Sequence, residues 1–302
     1  MYTNSIFEES WWLDAVAPGN WKELKVEEDG QLIARWPIVL KGKEIGMPKY
    51  ASTLGIYLNP EFIKTTTQEE QVYLNLINQL PHNKSILVNL DPENKAYLPF
   101  IWNDFKVSPS ATYEITDLSD LDIVFANFSK NLQRDIKQAQ KKLHVVESDD
   151  IEKLINLSLA TYRRQHREYV VKPNVIRSIF KVAREHDACK LYAANDEEGR
   201  IHSMTLFVYD EHRCYYLIGA SDPELNAKSC ANTLLIWHGI QLAAQKSQIF
   251  DFEGSTIRGI ATFFSRFGST FSYHFAISRQ SLRGELLGIL KPRIKKLLGH
   301  KK

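Results

Sequence analysis

Apolar and polar positions along the chain follow two periods, and the points where the period changes mark its elements. Alternation predicts strands over 21–26, 32–40 and 44–47, with Asp29-Gly30 and Lys41-Gly42 supplying turns of a meander. A further extended piece is expected over 52–57. Residues 68–80 place Val72, Leu76 and Leu80 on one helical stripe, and 85–90 reads as a buried strand closed by Asp91-Pro92. A short helix is expected near 10–13, where Trp11 and Trp12 read as core, and another near 97–102. An extended run over 105–115 contains Pro109. Helical spacing returns over 129–143, 151–166 and 173–186, with Pro173 suited to a helix start. Strands are then predicted over 188–194, 201–209 and 214–220. After a loop over 221–229 come a helix over 230–245, a strand over 249–253, a helical run to Gly268, a strand over 270–278 and a basic amphipathic tail over 281–302.

A length of 302 residues predicts two domains, and the boundary is placed at 110, giving 1–110 and 111–302. With 44% hydrophobic and 25% charged residues the chain has ample core material, and a net charge of +2 leaves polyanion binding to local clusters. Cys189, Cys214 and Cys230 are an odd number without close spacing, and the start MYTNSIFEES has no leader pattern, so a cytoplasmic protein is expected. No apolar run reaches the roughly 20 residues of a membrane span. No metal site is expected.

Candidate chemistry concentrates in 249–268, IFDFEGSTIRGIATFFSRFG. Asp251 and Glu253 stand two residues apart, which in a strand puts both carboxylates on one face, with Phe250 and Phe252 on the other. Two readings stay open. The acids cap the next helix or pair with Arg258 or Arg266, or one of them faces a cleft and handles a proton. Arg134, Lys137, Lys141 and Lys142 form a basic ridge on the helix over 129–143, a pattern that by itself describes a solvated face. Arg163, Arg164, Gln165 and His166 form a cluster suited to an anion, or to complementing a helix end. The loop before the helix at 230 offers amides for an anion. In the tail, apolar residues from Leu286 to Leu298 alternate with cations from Arg283 to Lys302, which suits either an anionic membrane surface or packing with a solvated edge.

The order helix, three strands, helix, strand, connection, strand occurs before Ile115 and again after it, which predicts an internal duplication. The segments NLQRDIKQAQKK, TYRRQH, YYLIGAS, FDFEGS and the ending at Phe267-Gly268, with ARWPIVLKGKEIGMP in the first half, resemble the GNAT superfamily, specifically its FemABX-like group. The resemblance implies an α+β fold of tandem GNAT-like domains, each a mixed, mostly antiparallel sheet flanked by helices. It implies an N-acyltransferase that moves an acyl or aminoacyl group from acyl-CoA or aminoacyl-tRNA, with no tightly bound cofactor, to an amine of a bacterial cell-envelope or sugar-like precursor. A binding module that keeps the anion cleft without chemistry is the alternative. The resemblance assigns Glu253 as base and Tyr216, or its neighbour Tyr215, as acid. Lys228, Ser229 and Asn232 fall to donor phosphate, and Arg134, Arg163, Arg164, Gln165 and His166 to an anionic acceptor. Partners implied are a small or lipid-linked acceptor, tRNA, and the inner membrane surface through the tail. Two departures stand out: NAKSCAN at 226–232 lacks the glycines of the usual pyrophosphate loop, and Phe264 occupies the position of a Fem-type lysine.

Overall fold

The computed structural model describes residues 5–164, 172–254 and 257–281. Gln165, His166 and nearly all of the basic tail, 282–302, lie outside the described residues. The elements run in chain order α1 (Ser10–Val16), β1 (Trp21–Glu28), β2 (Gln31–Lys41), β3 (Glu44–Gly46), β4 (Tyr57–Leu58), α2 (Thr66–Asn78), β5 (Ser85–Asn89), α3 (Leu98–Trp102) and β6 (Lys106–Ile115). They continue with α4 (Leu121–Ala126), α5 (Lys130–Ala139), β7 (His144–Glu147), α6 (Ile151–Arg164), α7 (Pro173–Glu185), β8 (Cys189–Asn195), β9 (Ile201–Tyr209), β10 (Arg213–Ser221), α8 (Pro223–Ser229), α9 (Ala231–Lys246), β11 (Ile249–Asp251), α10 (Arg258–Ser265) and β12 (Thr270–Arg279). The described residues form two compact units, one drawn from 5–8, 17–110 and 273–281, the other from 9–16 and the described part of 111–272. Neither is one contiguous stretch, because α1 counts with the second unit and most of β12 with the first.

In the first unit β1 and β2 form an antiparallel hairpin whose turn holds Asp29 at φ 51° and Gly30 at φ 77°. This is the left-handed backbone that an Asp-Gly pair accepts at least cost. β2 pairs antiparallel with β3, β3 parallel with β5, and β5 antiparallel with the end of β12. The extended piece expected over 52–57 is reduced to β4 on β2. A capping box of Thr65 and Gln68 starts α2. Phe100 anchors the core, meeting Trp36, Tyr73 and Phe105 edge-on at 5.5–5.8 Å.

The second unit repeats the pattern. β8 and β9, then β9 and β10, pair antiparallel; β10 pairs parallel with β11, and β11 antiparallel with β6. β7 adds a further strand beside β8. Apart from β4 and β7, each unit thus has two antiparallel pairings, one helical parallel crossover, and a closing antiparallel strand. This is the tandem, mostly antiparallel α+β architecture. Helix α9 lies close on the sheet because Gly239 has no side chain: a Cβ there would come within 2.2 Å of the Phe207 ring. Trp12 is buried, whereas Trp11 is partly exposed and stacks on His186 at 4.3 Å. No helix among the described residues is long and apolar enough to cross a membrane.

Three local expectations are corrected. Residues 221–229 are not a loop: Asp222 accepts from the amides of Glu224 and Leu225, Pro223 stands in the first turn, and α8 follows. The strand over 249–253 stops at Asp251, because Glu253 and Gly254 take left-handed φ values of 59° and 62°. Asp251 and Glu253 therefore do not share a strand face.

Candidate functional site

The parallel pair β10 and β11 organises this site. Its register runs Arg213 with Ile249, Cys214 with Phe250 and Tyr215 with Asp251, and ends there. β10 continues to Ser221, with its register shifting between Tyr216 and Ile218, while the N–H of Phe252 turns to the carbonyl of Tyr113 on β6. The strands part beyond Asp251. Tyr216 stands on one side of the parting and Glu253 on the other.

Asp251 is buried and anchors the turn. Its Oδ1 accepts from Thr112 Oγ1 at 2.5 Å and from the backbone N–H of Glu253 at 2.7 Å, while Oδ2 lies 3.4 Å from Nη1 of Arg213. The same guanidinium nitrogen donates to Glu114. Arg213, Glu114 and Asp251 are 3–4% exposed, so two carboxyls share one buried cation. Burial raises the Asp251 carboxyl to about 6; Arg213 opposes that rise and Glu114 adds to it. The role of Asp251 is to hold the turn.

Glu253 differs. Its Oε1 is buried and has no hydrogen-bond partner among the described residues. Burial first, and then the charge of Asp251, push its carboxyl well above the usual range. A buried carboxyl with one oxygen unpartnered and a raised affinity for its proton is suited to proton exchange. The turn that carries it needs Gly254, where a Cβ would stand 2.5 Å from the carbonyl oxygen of Ala111.

Tyr216 is half-buried, and its hydroxyl donates to Oδ1 of Asn232 on α9 at 3.0 Å. Burial raises the phenol to about 12, so at neutral pH it remains a proton donor. Gly219 makes room for it, since a Cβ at that position would lie 1.8 Å from the hydroxyl oxygen. Between Tyr216 and Phe252 sits Phe264, 5% exposed, with ring centroids 6.1 and 4.9 Å away. The residue standing in place of a Fem-type lysine is part of an aromatic core.

The residues assigned to donor phosphate are dispersed in role. Lys228 is exposed at the end of α8, Ser229 bonds to His202 Nδ1, and the side chain of Asn232 is used by Tyr216. The backbone N–H of Asn232 donates to Oδ1 of Asn226 at 2.9 Å, so one amide of the first turn of α9 is capped by the chain itself. Arg163 and Arg164 end α6 on the surface, and Arg134 is exposed on α5 with Asp135 3.8 Å away. None of these three bonds to Glu253 or Tyr216 among the described residues. Sequence reasoning missed Arg213, Glu114 and Thr112, which carry no local motif; Asp222-Pro223 is the helix-start signal that marks α8. No group of three or more potential ligands able to hold a metal ion occurs among the described residues.

The family model of the acetyltransferase (GNAT) domain matches residues 126–259, which contain β7 to β11 and Glu253. Residues 126–259 form a GNAT domain. The fold of the chain is similar to that of FemX, at 13% identity over 90% of this chain and 92% of that one, with a TM-score of 0.68. It is also similar to the C-terminal domain of a putative lysylphosphatidylglycerol synthetase from Agrobacterium fabrum, at 8% identity over 94% and 95% with a TM-score of 0.58. L-PGS from Bacillus licheniformis gives 12% identity over 96% and 92% with a TM-score of 0.55. No curated protein matches the chain. Within the GNAT domain the parting of β10 from β11 delivers both Tyr216 and Glu253.

Proposed function

We propose that the chain is an N-acyltransferase that moves an acyl or aminoacyl group from an activated ester to an amine, with Glu253 accepting the proton of the attacking amine. The observation that carries this reading is the buried, unpartnered Oε1 of Glu253 beside the parting of β10 and β11 in a GNAT domain. An ammonium must lose a proton to attack an acyl carbon, and a carboxyl whose proton affinity burial has raised well above the usual range matches that task. Tyr216, a neutral phenol on the opposite strand, protonates the leaving oxygen or sulfur. Phe264 removes a lysine from this position, which leaves the carboxyl as the proton-handling group.

The donor is aminoacyl-tRNA or acyl-CoA. The capped amide of Asn232 and the presence of α8 where the usual loop is glycine-rich favour a donor held other than by a wrapped pyrophosphate. The acceptor is an amine of a cell-envelope precursor, small or lipid-linked, a reading supported by the names of FemX and the lysylphosphatidylglycerol synthetases among the similar folds. Incubation of the purified chain with a panel of aminoacyl-tRNAs and acyl-CoAs, each with amine acceptors, tests it by mass spectrometry. An amide product formed only with the chain present supports the reading, and ligand binding without any product would replace it with a binding module.

A further inference from the structure

Away from Glu253, a cleft of about 490 Å³ opens in the second unit beside the turn that joins β8 to β9. Three side chains on its wall form a relay. Nε2 of His202 lies 2.9 Å from Oδ2 of Asp196, and Nδ1 lies 2.8 Å from Oγ of Ser229. His202 and Ser229 are only 7% and 8% exposed, yet both border the cleft.

The chemistry of the partners fixes the tautomer. An ionised carboxylate only accepts, so Nε2 carries the hydrogen toward Asp196 and Nδ1 turns its lone pair to the Ser229 hydroxyl. Asp196 is well suited to stay ionised: its hydrogen bond to His202, and then those from Arg200, hold its carboxyl well below the usual range. The backbone N–H and Nε of Arg200 donate to it at 2.8 and 2.7 Å. Left-handed Cys230, at φ 56°, ends α8 immediately after Ser229. The serine therefore stands at a corner between two helices.

Lys141, Lys142 and Lys228 line the same cleft, and none has an ion-pair partner among the described residues. Arg200 is shared by Asp196 and Glu198, so the four cations lining the cleft, Lys141, Lys142, Lys228 and Arg200, face three carboxylates, Asp196, Glu197 and Glu198, which leaves one positive charge in excess. The cleft favours an anion.

We propose that Ser229 is the nucleophile, His202 the base and Asp196 a positioning residue of a second centre, which hydrolyses esters or thioesters that bear an anionic group. Ser229 Oγ bonds to the acyl carbon as its proton passes to His202 Nδ1. The bond from that carbon to the leaving oxygen or sulfur breaks, and the leaving group takes the proton from Nδ1. Water then attacks the acyl-serine with its proton going to Nδ1, the acid departs, and Ser229 regains its proton. This centre contains neither Glu253 nor Tyr216, and it takes Ser229 and Lys228 for an ester rather than for donor phosphate.

The test uses the full chain with a fluorophosphonate probe and peptide mapping. An adduct on Ser229 is expected, with labelling reduced about a hundredfold or more in His202→Ala. Mono(4-nitrophenyl) succinate should be cleaved faster than 4-nitrophenyl acetate, a preference lost in Lys228→Ala. Asp196→Asn should move the titration limb of the rate profile, which lost stability alone would not do. No adduct on Ser229 while a serine hydrolase in the same tube is labelled would overturn the proposal, as would Ser229→Ala cleaving the succinate ester at the wild-type rate. The mapping decides the matter even if the Ser229→Ala chain fails to fold.

Discussion

The backbone N–H of Glu253 donates to Oδ1 of Asp251 at 2.7 Å, so the last residue of β11 holds the turn that carries the next carboxyl away from the sheet. The same oxygen accepts from Thr112, and Oδ2 faces Arg213. Asp251 is thus tied on both oxygens, while Oε1 of Glu253 has no partner among the described residues.

Arg213→Met should cost about 3–5 kcal/mol of stability, because it leaves Glu114 and Asp251 buried without their shared cation. Urea unfolding at neutral pH measures this. A variant as stable as wild type would mean that the three groups are not buried together.

Asp251 gives the stability a pH dependence with a defined sign. Its carboxyl titrates near 6 when folded, against an ordinary value of 3.8, so the folded chain holds the proton more tightly than the unfolded one. The contribution of this group is full below the unfolded value and is lost as pH rises through about 6, by on the order of 3 kcal/mol. Asp251→Asn should flatten that fall between about pH 4 and pH 6. Urea midpoints for both proteins across this window test it, and identical slopes would contradict it.

The sequence made much of this architecture readable, and the reasons for the gaps are physical. Asp29-Gly30 announces its hairpin because few residue pairs accept two left-handed positions, and Leu132, Ile136 and Ala139 announce α5 by spacing alone. The turn at Glu253 was illegible because Phe252 leaves β10 for a carbonyl on β6, a choice made by a strand far away in sequence. Arg213 and Glu114 are 99 positions apart, and no local pattern links them. Helix α8 stands where a loop is expected, although Asp222-Pro223, a cap followed by a first-turn proline, marks its start.

Gly219→Ala should impair turnover more than folding. The added Cβ would stand 1.8 Å from the Tyr216 hydroxyl, and moving that ring breaks its bond to Asn232. We expect a loss of about tenfold or more in kcat, matched by Tyr216→Phe, with little change in melting temperature. A Gly219→Ala chain with wild-type kcat would release Tyr216 from the reaction.

CoA should bind weakly. The first turn of α9 has one amide capped by Asn226, and the segment before it is helical rather than a glycine loop. Calorimetry should give a dissociation constant of about 1 mM or weaker. Micromolar binding that disappears in Lys228→Ala would contradict this.

The most direct measurement is turnover of Glu253→Gln with the acyl donor and amine found for the wild-type chain, across a range of pH. Glutamine keeps the size of the side chain and removes the proton-accepting carboxylate. A fall in kcat of about a hundredfold or more is expected, with no loss in the unfolding midpoint. The rising limb of the wild-type rate profile should lie well above the ordinary glutamate value of 4.5 and be absent in the variant. Full activity in Glu253→Gln, or the same limb in both proteins, would contradict this expectation.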